Sequence, residues 1–369
     1  MPFTRILLAV AISAPASFAL AQAPATEAPA AAPAPVATPA PATAVPEVDP
    51  DTLFKGQMGG TFGKNVVEVM PAGKRIAVAA FRVAFITDNK ITAQVRGAYL
   101  PGVDFSGARS SFFVALKGVS PQTMQAVTDK AYADLIRQLA DSGREVVSLD
   151  QVKEAGAGLK ASQNGYTKEA NGQTASFFSP SGMPLVFTHF EGAWGDSGML
   201  DLSNYRKLQE MSSKLNAVVI APMMFVNFAK MSSSGNQSGL VARTAETGAE
   251  LGMSVAGLSS VYIRTEEFRN GMLMQGDEGQ FRMNGAVTSQ LPFGTMQVQS
   301  QDDNRAIRTT LNVIGLVAGM GGNMGGAARS TTRAIAETTD AAYAAAAEDA
   351  LQRTSTALAR WFRKYPPAN

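Results

Sequence analysis

The sequence predicts an α/β protein, a mixed sheet packed by helices with a long C-terminal helix. Three observations predict it. An amphipathic helix sits between two short apolar runs in residues 74–151, further strand-like runs follow, and apolar residues recur at helical spacing near the C-terminus.

Residues 74–151 organise the rest. Ser120 can cap the helix, Pro121 suits its first turn, and Gly143 lies just past its end. Met124, Val127, Ala131, Leu135 and Leu139 make one apolar stripe, while Gln125, Lys130, Asp134, Arg137 and Asp141 fall opposite. Ile76 through Phe85 reads as one strand, and Val146, Val147 and Leu149 as another running toward Gln151. Only Gly143 and Arg144 separate the helix from that second strand. A helix crossing between neighbouring parallel strands is the economical reading; two unrelated elements side by side is the alternative.

The 369 residues suffice for a large core in one domain or two. Lys and Arg total 32 against 30 Asp and Glu, a formal charge of +2, and no basic stripe suited to nucleic acid forms. There is no cysteine, which excludes disulfides and the acylated cysteine of exported lipoproteins. Arg5, the apolar run Ile6 to Ala14, and Ala19-Leu20-Ala21 read as a signal peptide, residues 1–21, cleaved after Ala21. The expected location is periplasmic or outer-membrane-associated. Residues 22–50 carry Pro at 24, 29, 33, 35, 39, 41, 46 and 50 in an Ala-rich background. Such a segment favours extended chain, roughly 80 Å when stretched, either a spacer or a passive leader.

Residues 51–369 are then one α/β domain with its core in 74–300. Thr87 to Val119, with Tyr99, Phe105, Phe112 and Phe113, reads as a long loop ordered by short strands or by a partner. Ala155 to Phe178 reads as a loop or mobile insertion, and Pro184 to Thr188 as a strand. Ser203 to Leu215 is a short helix with Tyr205, Leu208, Met211 and Leu215 on one side. Asn216 to Phe228 is the most strand-like run, followed by a polar connector, Met231 to Glu250. Met253 to Thr265 and Gly279 to Ser300 are further strands, the second broken near Leu291-Pro292-Phe293-Gly294. The last helix is expected over 330–364, where Leu351, Leu358 and Tyr365 recur every seven residues beside Trp361 and Phe362.

Gly195-Asp196-Ser197-Gly198 invites a serine-hydrolase reading, with Ser197 as nucleophile and His189 as base. The chain's one histidine lies only eight residues before Ser197. Trypsin-like chains place it far earlier, and the GDS esterases near the C-terminus. Met199 also replaces the glycine that follows the protease motif. A turn after a strand is the preferred reading, with catalysis through Ser197 and His189 the alternative. One histidine and no cysteine give no metal-ligand spacing, and no glycine-rich loop has phosphate-binding spacing, so no metal or cofactor is expected. Residues 309–328 are uncharged and contain Gly315-x-x-x-Gly319 and Gly322-x-x-x-Gly326. A mobile loop is preferred over a membrane-spanning helix, with contact to a second subunit or a membrane surface between the two.

The succession KRIAVAAF, AYADLIRQLADSG, REVVSLDQV, NAVVIAPMMFVNF, VYIRTEEF and ALARWFRKY resembles the periplasmic domain of the curli-secretion-channel (CsgG) family. More loosely, it is similar to the N-terminal domain of TolB. The resemblance covers residues 74–364 as a pattern of elements. It implies a non-enzymatic protein of envelope assembly or secretion, partnered by envelope proteins or by copies of itself. The lipidated cysteine of that family is absent here, and barrel strands with aromatic girdles are not evident in 223–265. An oligomeric outer-membrane channel component is therefore the alternative.

Overall fold

The computed structural model describes residues 48–54, 74–95, 98–100, 103–105, 108–195, 201–238, 242–269, 272–302, 316–318 and 328–366. All of these fall within one compact unit, Pro46–Asn369. The mixed α/β class read from the sequence is the class observed.

The described chain begins with α1 (Pro50–Leu53), capped by Asp49, so the last proline of the expected tether is already the first helical residue. β1 (Arg75–Val78) and β2 (Arg82–Val95) follow, then β3 (Ala98–Leu100), β4 (Val103–Phe105) and β5 (Ala108–Lys117). Helix α2 (Pro121–Asp141) leads to β6 (Glu145–Val146) and α3 (Leu149–Ala155). Next are β7 (Ala161–Ser162), β8 (Tyr166–Ala170), β9 (Gln173–Phe178), β10 (Leu185–Val186) and a 3-10 turn, His189–Trp194. Helix α4 (Ser203–Leu215) precedes β11 (Val218–Ile220), β12 (Met223–Ser238), β13 (Ala242–Arg269) and β14 (Met272–Arg282). The chain closes with β15 (Val287–Thr288), β16 (Gly294–Asp302), β17 (Leu316–Ala318), β18 (Ala328–Thr338) and α5 (Asp340–Arg363).

The lower half is a three-layer sandwich, and strand alternation decides which residue faces which layer. Ile76, Val78, Val218, Ile220 and Tyr262 point into a core completed by α2 and α5. Ala77, Ala79, Val219, Ala221, Val261 and Ile263 point the other way, against Val152 of α3 and Leu208 and Met211 of α4. β1 pairs in parallel with β6 and with β11, as a helical crossover requires. The α2 stripe is buried as its spacing predicts: Met124, Val127, Ala131, Leu135 and Leu139.

Above this sandwich the sheet forks. At residues 83–85 one edge of β2 pairs with β9, so the parallel pairing with β12 at 82–85 must use the other edge. At 88–89 β9 still holds the first edge, yet the second now pairs with β5, up to Val95↔Ala108. β12 thus leaves β2 near Phe85, and β5 takes its place. β5 continues through β18 to β16, whereas β12 and β13 run on as a ribbon paired through Ser238↔Ala242. β2, β12 and β16 all run in the same direction, so the free ends of their hairpins point the same way.

Several expectations are corrected. The strand starting at Glu145 stops at Val146, because the Ser148 hydroxyl caps a helix that takes Leu149–Gln151. Residues 155–178 hold a hairpin, β8–β9, turned at Asn171 (φ 53°) and Gly172 (φ 76°), an Asn-Gly pair that favours this turn. Thr87–Val119 does hold short strands of its own, β3 and β4, but is mainly the extended arms of β2 and β5. Residues 231–250 form the outer ribbon and not a flexible connector, since β12 and β13 satisfy each other's backbone groups there. The C-terminal helix starts at Asp340 with Thr339 as cap, and 328–338 is a strand parallel to β5. Within 309–328, Leu316–Ala318 is a strand on the edge of β13; Gly315, Gly319, Gly322 and Gly326 lie outside the described residues.

Gly118, which joins β5 to α2, has φ +89°, and a β-carbon there would sit 2.0 Å from the Thr338 carbonyl oxygen. Gly118→Ala combines left-handed strain with a backbone clash, for an expected loss of at least about 2 kcal/mol. Urea unfolding monitored by circular dichroism measures it.

Candidate functional site: the fork and its polar clusters

Both long strand lines break at one level, β1/β2 at 79–81 and β11/β12 at 221–222. Arg82, fully buried, clamps that level. Its Nη1 donates to the Val186 carbonyl at 3.0 Å and to Glu191 Oε1 at 2.5 Å, and its Nη2 donates to the Ala221 carbonyl. Glu191 is held in turn by the Thr188 amide and hydroxyl, in a capping box that starts the 3-10 turn. The guanidinium therefore ties β2, β10, the 3-10 turn and the β11–β12 junction together.

His189 opens that turn. Its ring lies edge-on to Tyr205, centroids 5.0 Å apart, and against Phe190 at 3.9 Å. Its buried Nδ1 has no hydrogen-bond partner. A triad base needs a carboxylate holding the second ring nitrogen. Here the adjacent Glu191 is engaged by Arg82 and Thr188, and Glu278 accepts from the Tyr205 hydroxyl and from Gln209 Nε2 (2.9 Å). Ser197 lies outside the described residues, so only half of the Ser197–His189 pair is placed. Gly195, the start of that motif, is fixed by Lys168 Nζ donating to its carbonyl. Among the described residues no cluster of three or more His, Cys, Asp or Glu is arranged to hold a metal ion.

Burial pushes the His189 imidazole below its usual value of 6.5, with Glu191 and Glu278 pulling weakly the other way. The unfolded chain then binds the proton at higher pH than the folded one. His189 accordingly contributes stability that is present above pH 6.5 and lost as pH falls from there through its lower folded value. His189→Phe is expected to flatten the dependence of urea midpoint on pH as pH falls below 6.5. An unchanged slope contradicts this.

At the fork itself the polar groups are amides. Asn89, 2% exposed, donates through Nδ2 to Asn227 Oδ1 at 2.9 Å and accepts from Gln173 Nε2 at 2.7 Å. Asn227 Oδ1 also accepts from the Ala229 amide at 3.2 Å, next to a bulge in β12. Asparagine fits a site where one strand loses its backbone partner, because the side chain can satisfy both neighbours. Asn89→Leu leaves both amides short of a partner and is expected to cost about 1–3 kcal/mol. Differential scanning calorimetry checks that loss.

Beyond the fork, the ribbon lies across β5. Ser110 and Thr247 share a hydroxyl hydrogen bond at 2.8 Å, and Ala93, Ala108 and Ala245 form a small apolar cluster of their own. Beside the fork, with Asn89 in its lining, a groove of about 530 Å³ has Lys90 and Arg333 over the Phe113 ring, at 5.2 and 5.6 Å. Asp88 and Glu169 line it too, leaving no excess of either charge. A second cavity, about 390 Å³, is lined by Lys74, Arg75 and Arg264. Arg75 pairs with Glu145, and Arg264 with Glu266 and Asp277, so it has little net field for an anion.

The outermost strand is β16, which pairs only with β18 among the described residues. Its residues from Gly294 to Gln301 carry no charge, and its one departure from a flat edge is a bulge between Val298 and Ser300. Exposed edges are commonly protected by charge or proline. Gln297 and Gln299 are exposed, while Met296 is buried in the core. The sequence marks a strand here, but no local pattern distinguishes an edge strand from an inner one. No described helix is long and apolar enough to cross a membrane, which does not bear on crossing by strands. Comparison of the chain with protein-family models, curated proteins and solved structures found no match.

Proposed function

We propose that this chain is a non-enzymatic, exported envelope protein that works by docking, in an assembly, adaptor or secretion-accessory role like that implied by its resemblance to the CsgG family. The observation that carries the reading is the β16 edge: eight uncharged residues presenting a row of backbone donors and acceptors to an incoming strand. The occupied carboxylates around His189 support the same reading against the hydrolase alternative.

Fractionation tests it. The protein should leave the cytoplasm with its mature N-terminus at Gln22. Gln297→Lys with Gln299→Lys should release it from the envelope fraction without changing its melting temperature. A full-length chain in the cytosol, or a charged edge that still cofractionates, contradicts the proposal. A membrane channel is the second reading, favoured by the lengths of β12 and β13, 16 and 28 residues, against the 9–11 that cross a bilayer. Resistance of the wild-type protein to carbonate extraction would favour that reading over peripheral docking.

A further inference from the structure

We infer that the β12–β13 ribbon is an exchangeable arm whose partner is a second copy of this chain, each ribbon lying on the other copy's β5. The inference goes beyond the docking proposal and does not need the β16 edge.

The first support is the chemistry of the seat. Three alanines, Ala93, Ala108 and Ala245, form an apolar cluster separate from the two large cores, and Ser110 with Thr247 supplies a hydroxyl hydrogen bond. Small side chains bury little apolar area each and offer no bulky knob to lock one register. Above its base, where Ala229 and Ala249 are buried in the main core, the ribbon is therefore seated by small side chains, unlike the Phe- and Trp-filled layers below it.

The second support is a hinge on both strands at one level. β12 has register shifts between Phe225 and Val226 and between Asn227 and Ala229, where it parts from β2. Opposite, Phe225 pairs with Gly257 and Val226 with Val255, so Ala256 is an extra residue, and it is exposed. Gly252 flanks the same level with open space where a side chain would be. Above it the ladder is unbroken from Ala229↔Leu251 to Ser238↔Ala242, so the ribbon, with β17 paired on its edge at Thr247–Ala249, can swing as one piece with its own hydrogen bonds kept.

A second copy presents the same β5 surface, so the ribbon that leaves its own β5 finds an identical seat across the dimer, with no new chemistry required. Exchange of an identical element is a low-cost route to a dimer for this reason. Lys230 and Ser232–Gly235 of β12 are exposed, while Ala245 and Thr247, paired with Gly235 and Ser233, are the residues buried on β5.

The absence of cysteine from the chain makes the test direct. Ser110→Cys and Thr247→Cys are made as two separate proteins, mixed, partly unfolded together in urea, refolded and oxidised. A disulfide between them can form only across chains. The expected result is a covalent dimer of twice the chain mass on a non-reducing gel, with light scattering showing a wild-type dimer. The dimer should persist in Gln297→Lys/Gln299→Lys, which removes the edge but not the ribbon. An intrachain disulfide in the double variant with none between the mixed single variants overturns the inference. So does a wild-type monomer at high concentration, or a dimer abolished by charging β16, which would make the dimer an edge pairing.

Discussion

Arg82→Met with Glu191 left in place is expected to lower the unfolding free energy by about 3–5 kcal/mol. The side chains of Arg82 and Glu191 are 1% and 6% exposed, so removing the guanidinium strands a carboxylate where water cannot reach it. The Val186 and Ala221 carbonyls lose their donors at the same time. The ion pair itself is a weaker contributor than that loss suggests, because both charges were desolvated to form it. Arg82→Met combined with Glu191→Gln should therefore recover part of the stability. Urea denaturation of the four proteins of this cycle measures the coupling, and additive losses would contradict a buried pair acting as a unit.

Trp361→Ala should come close in size, about 3–5 kcal/mol. The indole is 2% exposed, stacked on Phe54 at 4.9 Å and packed against Phe281 at 5.6 Å. Phe54 follows α1, and Asn284 donates its amide to the Leu53 carbonyl, so the start of the folded unit is pinned to α5 through this stack. The effect should be local as well as global. Limited proteolysis of Trp361→Ala is expected to cut near residues 50–55 before the core is attacked, whereas equal protection of that segment would show that α1 is held by other packing.

What can be read from the sequence is whatever local periodicity controls. α2 is legible with its buried stripe, and α4 with Leu208 and Met211 buried and Tyr205 and Leu215 half-buried beside them, because an amphipathic helix carries its packing partner in its own spacing. The parallel β1–β6 pair follows from the short connection after α2. The ribbon is hidden because Ser232–Ser234 and the alternation Ala245, Thr247, Ala249 are small or polar, and small residues facing a close-packed sheet look like a loop in hydropathy. The start of β18 merges with the final helix because Ala334 and Ala336 suit either period, and only the Thr339 cap separates the two elements. The fork is not legible at all. Asn227 and Gln173 lie 138 and 84 positions from Asn89 along the chain, and nothing local announces that three amides meet. His189 is the catalytic candidate that the sequence offers, whereas its surroundings show it packed on aromatic rings beside carboxylates already engaged.

Docking through β16 places a partner within reach of position 297. A photo-crosslinking amino acid at position 297, on the exposed face of the edge, should give a discrete crosslinked species in intact cells. The same probe at Glu210 on α4 should give none. Equal labelling from both positions, or no product from position 297, would mean that this edge is not where the protein meets its partner.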